Sequence, residues 1–117
     1  MKVRDYKELK VWQKGIEITD SVYSITNDYP KSEFYALTNQ MRRSAVSIPS
    51  NIAEGFVRNH SGEYKQFLYI ALGSCAELET QLIISQRRAY IDQNLFNDNL
   101  QNVLYEMRML INLIKQI

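Results

Sequence analysis

Within residues 40–58, QMRRSAVSIPSNIAEGFVR, two adjacent arginines, an asparagine, a glutamate and a third arginine sit among apolar residues. Arg42, Arg43, Asn51, Glu54 and Arg58 offer two kinds of chemistry. A guanidinium can hold a phosphate oxygen through its planar fork, so arginines along one ridge suit a nucleic-acid backbone. The same fork fits a carboxylate, and a partly buried arginine needs such a partner. Glu54, Glu77 and Glu79 are the carboxylates within reach by pattern, in the same subunit or across to another. Arg43, Ser47 and Glu54 share one helical face at spacings of four and seven, and Ser44, Asn51 and Arg58 share a second at steps of seven. The residues leave both readings open: Arg42, Arg43 and Arg58 as phosphate contacts, or Asn51, Glu54, Glu77 and Glu79 as structural and assembly partners.

Other chemistry finds little support. His60 is the single histidine and falls in the polar loop RNHSG, which reads as solvated. A metal centre needs several converging ligands, and the Glu-x-x-His pattern of carboxylate-bridged bundles is absent. Glu77 and Glu79, two residues apart, diverge on a helix. Cys75 is alone in the apolar context ALGSCAELE, so it reads as a small buried thiol. No phosphate-loop, dinucleotide or nucleophile-elbow motif occurs. The expectation is a non-enzyme without cofactor or metal.

The elements that position these residues are helices. Val11, Gly15, Ile18, Val22 and Ile25 recur at alternating steps of four and three, predicting a first helix over 8–28 with Leu9, Trp12, Ile16 and Tyr23 beside that stripe. Pro30 stops it, and Ser32 is the expected cap of a second helix over 33–57. Met41, Ala45, Ile48, Ile52 and Phe56 stay in phase across Pro49, so the second helix is expected to continue through the proline with a kink. Ser44 and Ser47 are expected to take up part of the freed backbone bonding. A third helix over 62–88, capped by Ser61, is apolar around most of its circumference, which calls for burial on more than one side. Asp92 caps a fourth helix over 93–117, where Phe96, Leu100, Val103, Met107, Leu110, Ile114 and Ile117 keep a heptad spacing. No segment alternates with period two. The fold class is all-α: residues 1–117 form one antiparallel up-down-up-down four-helix bundle, roughly 30–40 Å long, with the kink in helix 2.

Composition bounds the partners. The 117 residues are 45% hydrophobic and 23% charged, ordinary for a globular protein. Eight tyrosines against four phenylalanines suit half-buried interface positions. Net charge is +1, with residues 1–60 at +2 (nine Lys/Arg, seven Asp/Glu) and residues 61–117 at −1 (five and six). That lacks the strongly basic footprint of most nucleic-acid modules, so any nucleic-acid contact needs a local or repeated patch. The N-terminal MKVRDYKELKVWQ has no leader-like apolar core, and no run reaches the ~18 consecutive apolar residues of a membrane span. A cytoplasmic protein without membrane contact is expected.

The segments YKELKVWQKGIEI, YPKSEFYALTNQMRRSAVSIPSNIAEGFVR, EYKQFLYIALGSCAELETQL and YID together resemble the proteins encoded in intervening sequences of 23S ribosomal RNA genes. The central Q-x-R-R-S-A-x-S-I-P-x-N-I-A-E-G carries most of the likeness, which spans about residues 6–90. Ala36 stands where that family often has glycine. The resemblance implies a four-helix bundle assembled as a ring-shaped homopentamer. It also implies RNA binding, because related accessory proteins of diversity-generating retroelements bind RNA and a partner reverse transcriptase. The residues it points to are Arg42, Arg43 and Arg58, with Lys10 and Lys14 on the first helix as weaker candidates. A protein partner without nucleic-acid contact is the competing expectation.

Overall fold

A computed structural model describes residues 3–117. Met1 and Lys2, part of the stretch read as carrying no leader, lie outside the described residues. Four α-helices account for most of the chain: α1 Lys10–Thr26, α2 Leu37–Val57, α3 Ser61–Arg87 and α4 Gln93–Lys115, with short 3-10 turns at Tyr6–Glu8 and Lys31–Glu33. The described residues contain no strand. Each helix packs on its neighbours in the order α1–α2–α3–α4–α1, with no close backbone approach across either diagonal. The resulting four-helix bundle measures 44 × 25 × 19 Å.

The contacts of α2 with its two sequence neighbours give their relative directions. Gly15 lies against Pro49, Thr19 bonds Ala45 and Arg42 reaches Thr26, so residue number falls along α2 as it rises along α1. Gly55 meets Phe67, Ser47 meets Ser74 and Met41 meets Ser85, which shows the same reversal between α2 and α3.

The buried stripes of α1 and α2 follow the predicted spacing except at Phe56, which is half-buried, whereas α3, apolar around most of its circumference, buries one stripe and leaves Tyr69, Ile70, Ile83 and Ile84 exposed. Val11, Ile18 and Val22 from α1, Met41, Ala45, Ile48 and Ile52 from α2, and Leu68, Ala71, Cys75, Leu78 and Leu82 from α3 fill the core. On α4 the seam is rotated by about one residue. Asn99 and Glu106 are buried, whereas Leu100 and Met107 are only half-buried. The buried face of α4 is centred on Phe96, Val103 and Leu110 and takes in Asn99 and Glu106 beside them.

The helix starts depart from expectation. Ser32 caps nothing: after Pro30 the chain makes a 3-10 turn, and α2 begins only at Leu37. Glu33 does the capping instead, its Oε1 accepting from Leu37 N at 3.3 Å while its Oε2 accepts from the Tyr90 hydroxyl at 2.9 Å. Ser61 lies inside α3 rather than before it. Only Arg58, Asn59 and His60 separate α2 from α3. Asn59 makes that reversal by adopting φ 59°, a left-handed conformation asparagine tolerates. Asp92 does cap α4, its Oδ1 accepting from Leu95 N at 2.8 Å.

Pro49 is buried within an uninterrupted α2. A proline has no N–H to give the carbonyl four residues back, here that of Ala45. The expected serines do not bond it. Thr19 on α1 reaches it instead, its one hydroxyl proton shared between Gly15 O at 2.8 Å and Ala45 O at 3.1 Å. Ser47 is engaged on the other side of α2, where it meets Ser74 and Asn51.

Consecutive apolar residues are few, but α3 contains an 18-residue window of mean hydropathy 1.3, long and apolar enough to cross a membrane by length and composition. A third of that window is buried in the bundle against α2 and α4. Tyr69, Ile70, Ile83 and Ile84 remain exposed on its outer side.

Candidate nucleic-acid interface

The face of α2 that turns away from α4 forms the floor of an open groove of about 820 Å³ between α1 and α3. Arg42, Arg43, Ser47 and Asn51 from α2 line it, with Tyr23 from α1 and Glu77 and Gln81 from α3. Residues 40–51 thus share one concavity because α2 and α3 pack side by side along their length. Nothing in the spacing along α2 alone could show that Glu77 would face the arginines.

Arg42 is held rigidly. Its Nε donates to Thr26 Oγ1 at 3.0 Å, its Nη2 donates to Asn27 Oδ1 at 3.2 Å, and its guanidinium lies over the Tyr23 ring, 4.7 Å from the centroid. Thr26 is itself buried and anchored to Val22 O at 2.7 Å. The hydrogen-bond partners of Arg42 are neutral, so its half-buried guanidinium keeps its positive charge. Arg43 is exposed beside it. The pairing of Arg42 or Arg43 with Glu54, Glu77 or Glu79 is not made: among the described residues, neither arginine forms an ion pair.

The remaining candidates do not join this groove. Arg58 is neutralised where it stands, its Nε 2.9 Å from Glu54 Oε2 and its Nη1 3.5 Å from Glu63 Oε2. The four-residue spacing of Glu54 and Arg58 was the signal for that pair. Lys14 lies 4.0 Å from Glu17 and over the Tyr105 ring, on the α1–α4 side of the bundle. Lys10 lines a separate shallow cleft with Leu9, Met109 and Leu113. Glu79 is half-buried on α3 and does not line the groove. Asn51 does line it, and its Nδ2 donates to Ser47 O and Oγ, both at 2.8 Å, within the serine cluster that joins α2 to α3.

Three further groups escaped the pattern. Tyr23 and Gln81 complete the groove from the flanking helices, and Gln81 Oε1 is buried there without a hydrogen-bond partner. Glu106, fully buried, lies on the opposite side of the core, and neither of its carboxylate oxygens finds a partner. Burial pushes its carboxyl up to about 8, partly opposed by Lys14 and reinforced by Glu17. Burial, with Glu106 nearby, pushes the Cys75 thiol up to about 12, which makes it a poor nucleophile. Among the described residues no three His, Cys, Asp or Glu side chains converge as metal ligands.

A family model described as 23S rRNA-intervening sequence protein matches residues 7–112. A search of the curated proteins finds no match. Among solved structures, the chain is similar to a protein of unknown function from the S23 ribosomal protein family of Bacteroides thetaiotaomicron. The two share 24% identity and a TM-score of 0.81, over 90% of this chain and 98% of that one. That likeness shows the fold.

Proposed function

Because the chain belongs to the 23S rRNA-intervening sequence protein family, we propose that it is a non-enzymatic RNA-binding protein whose contact surface is the Arg42–Arg43 groove. The observation that carries this reading is the state of Arg42. Its guanidinium is fixed by Thr26, Asn27 and Tyr23, lacks a carboxylate and opens onto a groove beside Arg43. Phosphate is the anion that such a pair receives most readily from RNA.

The net charge of +1 makes one copy a weak binder. Self-association would repeat the groove around a ring, and a homopentamer is the assembly proposed. The exposed Tyr69, Ile70, Ile83 and Ile84 along α3 support a subunit contact there. Fluorescence anisotropy with a labelled RNA at 50 and 200 mM salt tests the reading. Binding should weaken steeply with salt, and Arg43→Ala should weaken it further and lower the logarithmic salt slope by about 0.7–1 per site. No retention on RNA at low salt refutes it.

A second reading draws on Glu77, which faces the same groove. In a structural or adaptor oligomer, Arg43 would pair with a carboxylate of a neighbouring copy. Arg43→Ala would then reduce the assembled mass in light scattering, whereas the RNA reading leaves that mass unchanged.

A further inference from the structure

Two exposed aromatics are unexplained by the fold. Phe34 and Tyr35 stand in the turn between α1 and α2, edge to face, with centroids 4.8 Å apart and planes at 86°. Phe34 is 50% exposed and Tyr35 88% exposed. The turn beneath them is firmly built. Phe34 N donates to Lys31 O at 3.1 Å, Ala36 N donates to Glu33 O at 3.0 Å, and Glu33 ties the turn to both Leu37 and Tyr90. A braced turn therefore presents two rings to solvent, where their apolar faces are least favoured.

Charged residues of both signs surround the pair. Lys31, in the same turn, is exposed and makes no ion pair among the described residues. Arg87 and Arg88 are exposed at the end of α3, and the Tyr29–Tyr90 ring contact at 5.5 Å brings the α3–α4 connection to this end of the bundle. Asp28, Asp92 and the half-buried Glu33 are the acidic residues there, so the charges at this end balance and the rings, not charge, distinguish it. Tyr35 precedes Asn39 by four residues, a reach of at most about 14 Å. Asn39 already lines the Arg42–Arg43 groove.

We infer that the RNA is single-stranded, with a base stacked on the exposed face of Tyr35, which Phe34 braces edge-on, while phosphates further along the strand lie on Arg42 and Arg43. This rests on the RNA reading above and adds the kind of strand. Bases within a duplex are stacked on one another and cannot reach an aromatic side chain, whereas unpaired bases can. Stacking also supplies affinity that a chain of net charge +1 cannot draw from phosphates alone. Because each base has a π face, such a platform tolerates many sequences.

The test uses the full chain, a fluorescein-labelled 15-nucleotide single strand of mixed sequence, and the same strand annealed to its complement. The single strand should bind about tenfold more tightly than the duplex or better. Tyr35→Ala should weaken single-strand binding about tenfold without altering the salt slope or the melting temperature, and Tyr35→Phe should restore it. If Arg43→Ala weakens binding but Tyr35→Ala does not, or if strand and duplex bind equally, the platform is refuted and the groove reading stands. If no RNA binds, both fall. A Tyr35→Ala protein of reduced assembled mass would assign the pair to contact between copies and overturn the inference.

Discussion

Thr19 Oγ1 on α1 lies 3.1 Å from the carbonyl oxygen of Ala45 on α2, the acceptor that Pro49 leaves without its helical donor. The proline of one helix and the threonine of another thus form one structural unit. Gly15 completes it, since a Cβ added there would stand 3.2 Å from Pro49 Cβ and Cδ. The cost of a proline inside α2 is offset across the α1–α2 interface, which also aligns Thr26 with Arg42 further along.

This unit predicts a coupling. Thr19→Val keeps the shape but removes the donor, leaving a buried carbonyl unsatisfied, and should cost ~1–3 kcal/mol. In a Pro49→Ala background the restored backbone N–H at that position bonds Ala45 O again, so the same threonine substitution should cost less. Urea unfolding of the four proteins measures the difference as a double-mutant cycle. Equal costs in both backgrounds would show that Thr19 and Pro49 act independently.

Two helical glycines should respond in opposite directions. A Cβ on Gly55 would sit 2.6 Å from Phe67 Cβ and 3.3 Å from Tyr64 O, so Gly55→Ala must push α2 and α3 apart. We expect a loss of ~1–3 kcal/mol from overpacking. A Cβ on Gly73 meets nothing within 4 Å. Gly73→Ala should therefore gain ~0.5–1 kcal/mol from helix propensity alone. Thermal or urea unfolding distinguishes the two, and a destabilised Gly73→Ala monomer would contradict an open site.

Ala89 ends α3 in a left-handed conformation at φ 61°. Its N–H bonds Gln86 O at 3.0 Å and the next N–H, of Tyr90, bonds Ser85 O at 3.0 Å, the paired bonds of a helix terminus that normally carries glycine. For alanine, φ > 0 costs ~1 kcal/mol. Ala89→Gly should raise stability by about that amount, less the added freedom glycine gives the unfolded chain. No gain in the urea midpoint would show that the strain is relieved elsewhere.

Much of the bundle was legible because the main apolar stripes of α1 and α2 are buried, although Phe56 is only half-buried and Ile16 and Tyr23, beside the α1 stripe, are exposed. Legibility failed where two residues competed for one role. Ser32 and Ser61 look like caps, but Pro30 and the Asn59 reversal move the true helix starts away from them. The groove was half legible. Arg42, Arg43 and Asn51 share α2, but their neighbours Tyr23, Glu77 and Gln81 arrive from other helices through packing that no local spacing encodes. On α4 the apolar Met107 concealed Glu106, although Glu106 keeps steps of three and four to Val103 and Leu110.

Glu106 predicts an unusual dependence on pH. Its carboxyl is fully buried, both oxygens lack partners, and burial raises its titration from the ordinary 4.5 to about 8. Lys14 and Glu17 on α1 and Cys75 on α3 are the titratable groups coupled to it. In the unfolded chain the group gives up its proton near 4.5; in the folded chain it keeps the proton to about 8. Between those values the native state binds more protons, so its stability falls as pH rises, by up to ~1.4 kcal/mol per pH unit, and levels off above the folded value. Glu106→Leu removes this component and leaves the other titrating groups in place. Its advantage over the natural chain should therefore grow from pH 5 to pH 8, reaching on the order of a few kcal/mol. Urea unfolding at pH 5, 6.5 and 8 measures that divergence. Parallel curves for the two proteins would mean that Glu106 ionises in the fold as readily as in water, with Lys14 turned inward to meet it.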